Sequence, residues 1–241
     1  MRAPAIIGIA AGATTAFTAA AQSQMITEVR IGQPGPDTDS FVEIVGTPDS
    51  SLKGLSLIVI GDNDDQFPPA QNGYVELVVP LTGSIPSDGI LVIAGSSFSQ
   101  NVPDIVQDLS FETGDNLTLM IVDGQVSVGF DVDTNNDGVI DNSPGTIIDS
   151  MALIANGSPD GFSSEFFYSD FTIGPINNLP PLHAWACNDD GSWRAGDDAL
   201  GGENENPGAL NANCGGGGGG DITLSEIRID QGGTDLDEFV E

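Results

Sequence analysis

"ITEVRIGQPGPDTDSFVE", residues 26–43, recurs without a gap as "LSEIRIDQGGTDLDEFVE", residues 224–241, with 10 of 18 positions identical. Each copy reads as an alternating polar and apolar run, a turn rich in glycine and aspartate, and the opening of a second run, the pattern of a β-hairpin. The offset of 198 residues is far too long for a solenoid unit and matches one whole domain. Residues 222–241 are therefore expected to be the truncated start of a second domain. Alone they cannot bury an apolar face, so they are expected to be unpaired.

Between the two copies, short runs rich in Val, Ile and Leu follow one another: "MITEVRI", "SFVEIVG", "LSLIVIG", "YVELVVP", "GILVIAG", "NLTLMIV", "QVSVGFD" and "TIIDSMALI". Clusters of Gly, Pro, Asn and Asp such as "GTPDSS" and "GDNDDQFPP" punctuate them. No stretch carries a convincing helical period. The fold class expected is all-β, an antiparallel sandwich or barrel. From about residue 156 the alternation dissolves into a long aromatic-bearing stretch, read as an irregular C-terminal wrap held by Phe166, Phe167, Trp185 and Trp193. The glycine run 215–220 is too flexible to hold a fold. The domain expectation is thus a leader at 1–21, a β-sandwich domain at 22–214, a glycine linker at 215–221 and the second domain's start at 222–241.

The leader has one early cation, Arg2, then small and apolar residues ending in Ala19, Ala20 and Ala21, the layout of a secretory signal peptide. Its run holds too few large hydrophobes to be a permanent span, and no later stretch is long and apolar enough to cross a membrane. The protein is therefore expected to be secreted or on the cell surface. After cleavage four cations remain against 36 acids, a formal charge of −32. Such a surface repels phosphate backbones, which argues against direct nucleic-acid binding. It suits a salty or calcium-rich exterior and keeps the chain soluble. Hydrophobic content of 39% is enough for a packed core. Cys187 and Cys214 form an even pair in an exported chain and are expected to make one disulfide.

The opening "ITEVRI", an acidic turn, "FVEIVG" and then "SLKGLSLIVIGDN" resemble the lamin tail domain, an immunoglobulin-like β-sandwich. Thr27-Glu28, repeated as Ser225-Glu226, matches the Ser/Thr-Glu pair of that family's first strand. Phe41-Val42-Glu43, repeated as Phe239-Val240-Glu241, matches its second strand, and Leu52-Lys53-Gly54-Leu55 its Leu-x-Gly step. "SDGILVIAG", "GDNLTLMIVDGQV" and "NPGALN" at 206–211 extend the likeness over about residues 25–214. An insertion near 131–145 and the long tail are more typical of the family's extracellular bacterial members. The resemblance implies the fold; relatives of this kind serve as accessory modules in secreted nucleases, phosphatases and surface proteins, and fold does not settle which.

Catalytic motifs are thin. The single histidine, His183, lies between prolines and a tryptophan and reads as structural. Glu28 and Glu43 recur in the second copy, which points to a structural task, with Arg30 as a candidate partner. Asn116-Leu117-Thr118 and Asn156-Gly157-Ser158 are formal glycosylation sequons. "DVDTNNDGVID", residues 131–141, is different: oxygen side chains recur at alternate positions before a glycine, as hard calcium ligands do in loops. The expected shell is Asp131, Asp133, Asn135, Asp137, the Val139 carbonyl and Asp141, with Ile140 as an apolar anchor. Asp149 is a further candidate, because Pro144 stands where a bidentate glutamate would be needed.

The function these residues favour is a secreted, non-catalytic, calcium-binding sandwich module, repeated in tandem, that attaches to a surface, matrix or protein partner. The rival is the accessory region of an extracellular nuclease or phosphatase whose catalytic domain lies beyond residue 241.

Overall fold

The structure is a computed structural model and describes residues 24–33, 35–62, 72–155, 166–189, 191–196 and 206–213. The leader, the glycine linker, Cys214, Asn156 to Ser158 and the second copy of the hairpin lie outside the described residues. In chain order the strands are β1 (Met25–Arg30), β2 (Phe41–Val45), β3 (Leu55–Asp62), β4 (Asn72–Pro80), β5 (Ile90–Ala94) and β6 (Ile105–Val106). They continue with β7 (Leu117–Asp123), β8 (Thr146–Leu153), β9 (Thr172–Ile173), β10 (His183–Ala186) and β11 (Trp193–Gly196). Among the described residues there is no helix.

The strands form two sheets, ordered β11-β10-β1-β2-β5-β6 and β4-β3-β7-β8-β9. All pairings are antiparallel except β5 with β6 and β8 with β9. Side chains alternate across a strand, so one face of each sheet meets the other. Val29, Val42, Ile44, Leu91 and Ile93 of the first sheet pack with Leu57, Val59, Leu119, Ile121 and Leu153 of the second in one core. The fold is therefore a β-sandwich, each large aliphatic residue of the shared core contributing about 1.5–3 kcal/mol by leaving water.

Two local devices set the register. β1 shifts register between Ile26 and Glu28, a bulge that puts both Ile26 and Val29 into the core. The Asp149 carboxylate of β8 accepts the Ile26 N–H at 2.7 Å, so the second sheet satisfies a donor at the bulge of the first. Before β3, the Leu55 N–H closes a tight turn on the Leu52 carbonyl at 3.1 Å. Gly54 takes φ +91° there, a backbone setting that a side chain would strain.

Two sequence expectations differ from the structure. "QVSVGFD" forms no strand: apart from a bridge between Asp131 and Tyr74, residues 125–131 are irregular chain with a turn at 128–129. Its Val126 and Phe130 instead lie over the outer face of the second sheet. The stretch read as an irregular wrap contributes β9, β10 and β11, with β10 pairing directly to β1 through Glu28 with Trp185 and Arg30 with His183. These strands are two to four residues long, too short to show an alternating period.

Candidate functional site

In both sheets the outer face is also covered, and the candidate residues gather there. On the first sheet, Glu28 and Glu43 face each other across β1 and β2, and both are buried. Glu28 Oε1 and His183 Nε2 share a hydrogen bond of 2.7 Å, 155 residues apart in sequence. The imidazole stacks on Trp185 with centroids 4.8 Å apart and tilts against Phe41. Glu43 accepts the Thr27 hydroxyl at 2.9 Å and the Gly208 N–H at 3.0 Å.

The cover over these acids is the turn at 206–211. Besides Gly208, the Asn206 backbone N–H reaches Glu28, Asn211 Nδ2 donates to the Thr27 carbonyl at 3.1 Å, and Asn101 Nδ2 donates to the Pro207 carbonyl at 2.9 Å. Burial pushes the Glu28 carboxyl up to about 8 against the relief given by Asn206. Burial likewise pushes Glu43 up to about 7, with Glu28 and Asp88 adding repulsion and Gly208 and Thr27 opposing. At neutral pH this face therefore retains protons that water would remove.

On the second sheet, Ile58, Ile60, Val75, Met120 and Val122 form a separate outer cluster with Val132 and Tyr168. The loop at 126–140 is its lid, with Val126, Phe130 and Ile140 packed against it. Ile140 thus takes the anchoring place expected for it. Of the side chains expected to hold calcium, Asn135, Asp137 and Asp141 lie exposed at the rim of this lid, and Asp133 is buried beneath it.

Within the loop each acid has a distinct task. Asp133 is fully buried and accepts the Asp137 N–H at 3.1 Å, the Gly138 N–H at 2.8 Å and the Tyr168 hydroxyl at 3.0 Å. Asp131 accepts the Asp133 N–H at 3.0 Å and the Tyr74 hydroxyl. Asn135 accepts from the Asp137 N–H and donates to its carboxylate, both at 3.1 Å. Asp137 accepts the Val139 N–H at 3.0 Å. The exposed Asp141 takes the Thr134 N–H at 2.9 Å and hydroxyl at 2.8 Å, and these two donors hold its carboxyl below the usual range.

The turn needs left-handed backbone at Asn136, φ 54°, and Gly138, φ 83°. Asn136 also accepts the Asn72 N–H at 3.0 Å, joining the loop to the start of β4. Burial, then the Asp133 charge, pushes the Tyr168 hydroxyl well above its ordinary value.

The donor chemistry suits a hard cation, but the oxygens are turned toward loop donors. Among the described residues no three acidic, histidine or cysteine side chains converge as a metal group. Asp149 is engaged at the β1 bulge. The sequon asparagine Asn116 is 1% exposed and its Oδ1 accepts the Ala155 N–H at 2.7 Å, so this fold leaves no room for a sugar there. Cys187 is buried, and no cysteine among the described residues is free.

Sequence reasoning missed the bond between Glu28 and His183. The one signal for it was that Glu28, Phe41 and Glu43 repeat together at 226, 239 and 241. No family model, no curated protein and no solved structure matches the chain.

Proposed function

We propose that the chain is a secreted, non-catalytic β-sandwich module of lamin-tail type, repeated in tandem, that binds calcium at residues 131–141 and attaches to a surface, matrix or protein partner. The observation that carries this reading is the way Asp133 gathers two loop N–H groups and the Tyr168 hydroxyl at one buried carboxylate. That bond set preforms the turn, while Asn135, Asp137 and Asp141 stand exposed along its rim. A hard cation would compensate the mutual repulsion of these acids. Asp141 would leave Thr134 to join the shell with Asp131, Asp133, Asn135, Asp137 and the Val139 carbonyl.

Calorimetric titration of the full chain tests it. One calcium site is expected, lost in Asp137→Ala, with thermal stability rising as calcium is added by mass action. No heat of binding and a melting temperature indifferent to calcium and chelator contradict the reading. Export carries with it a Cys187 to Cys214 disulfide, which linked peptides in a non-reduced digest would display.

A further inference from the structure

A cleft of about 220 Å³ opens between the first residues of β1, the end of β2, residues 186–188, Gly191 and Trp193. Its rim is apolar: Met25 is 45% and Leu210 61% exposed, and Val45 and Trp193 continue the wall. Its buried end is polar and holds acceptors. Asn211 is 7% exposed, its Nδ2 is committed to the Thr27 carbonyl, and its Oδ1 has no hydrogen-bond partner. Beside it, each carboxylate oxygen of Glu43 accepts one hydrogen bond, which leaves a lone pair on each.

A neutral apolar guest would offer these acceptors no donor. An anion would meet Glu43, with Glu28 and Asp88 behind it, on a chain of 36 acids and 5 cations. A cation with an apolar stem suits both halves of the cleft, because its head finds acceptors while its stem and the Trp193 ring line the wall.

We propose that this cleft binds a primary ammonium group on a short aliphatic stem, the chemistry shared by a lysine side chain of a partner protein and a free alkylamine. Glu43 on β2 is the acid that lines the cleft, and the charges acting on it in turn are Glu28 on β1, with His183 of β10 bonded to it, and Asp88 before β5. Burial holds Glu43 partly protonated near neutrality, so the ammonium ion displaces a proton as it binds. Affinity is then expected to rise about tenfold between pH 6 and pH 8, the change in carboxylate fraction for a group titrating near 7.

The test is a titration of the full chain with n-butylamine, n-butanol and capped lysine at 0.2 M salt, followed by tryptophan fluorescence and NMR. Saturable one-to-one binding of n-butylamine is expected, with n-butanol at least tenfold weaker. Glu43→Gln is expected to weaken the amine about tenfold. Leu210→Lys, at the exposed rim and so harmless to folding, is expected to block it with its own ammonium group. Capped lysine binding as well as n-butylamine assigns the site to a partner's side chain, and n-butylamine alone assigns it to a free amine. Equal binding of n-butanol, an affinity flat with pH, or unchanged binding in both variants overturns the proposal.

Discussion

The outer face of the first sheet closes over Glu28, Glu43 and His183, whereas that of the second closes over Ile58, Ile60, Met120 and Val122. Both covers are loops rather than further sheets: the turn at 206–211 on one side and the lid at 126–140 on the other. The polar cover is held by backbone N–H groups aimed at buried carboxyls, and the apolar one by side-chain packing. Apart from the buried Asp133, the charged groups of the lid sit at its rim, where water reaches Asp137 and Asp141. The difference teaches that acids of one chain can be sorted by burial into opposite regimes. Glu28 and Glu43 are pushed toward the neutral form, and Asp141 is held in the charged one.

The sharpest way to break this contrast is to remove the one buried acid on the apolar side. Asp133→Ala strands the Gly138 N–H and the Tyr168 hydroxyl at one buried place and leaves the Asp137 N–H with Asn135 as its remaining acceptor. A loss of about 4 kcal/mol is expected, from about 1–3 kcal/mol per stranded buried group less what water recovers. Denaturant unfolding checks it, and a loss below about 1 kcal/mol would show that the loop does not depend on that carboxylate.

The polar side is expected to respond to pH. Both glutamates have folded values, about 8 and about 7, above the unfolded value of 4.5. The folded state therefore holds more protons, and its advantage is full below 4.5 and lost as pH rises through 7 and 8. Unfolding free energy is expected to fall steadily between pH 4.5 and pH 8, with Glu43→Gln reducing the slope. The smallest effect is expected at the seam between sheets. Asp149→Ala leaves the Ile26 N–H at the bulge unpaired and is expected to cost about 1.5 kcal/mol, with faster amide exchange at Ile26 as its local sign.

Much of the sandwich was legible in the sequence because β1 to β5, β7 and β8 announce themselves by apolar runs between turn signals. The ten identities of the repeat also make physical sense in the first copy. Glu28, Arg30, Ile31, Asp39, Phe41, Val42 and Glu43 are buried. Gln33 and Asp37 bond each other across the turn at 2.9 Å, and Gly35 has φ +101°.

Strands β9 to β11 were illegible because their identity is given by the neighbour they pair with, not by their own two to four residues. "QVSVGFD" misled for the opposite reason. Its alternation is real, but Val126 and Phe130 serve a lid, and Val128 is left 64% exposed. At residues 131–141 the composition named the oxygens but not their tasks. That Asp133 would be buried beneath Tyr168 depends on a residue 35 positions away.

The most direct measurement of the whole account is thermal unfolding of the full chain on a grid of pH 5 to 8.5, with calcium and with chelator. The two covers are predicted to act independently. Glu43→Gln should reduce the pH slope and leave the calcium shift intact, while Asp137→Ala should abolish the calcium shift and leave the pH slope intact. A calcium shift that survives Asp137→Ala, or a pH slope that survives Glu43→Gln unchanged, would contradict it.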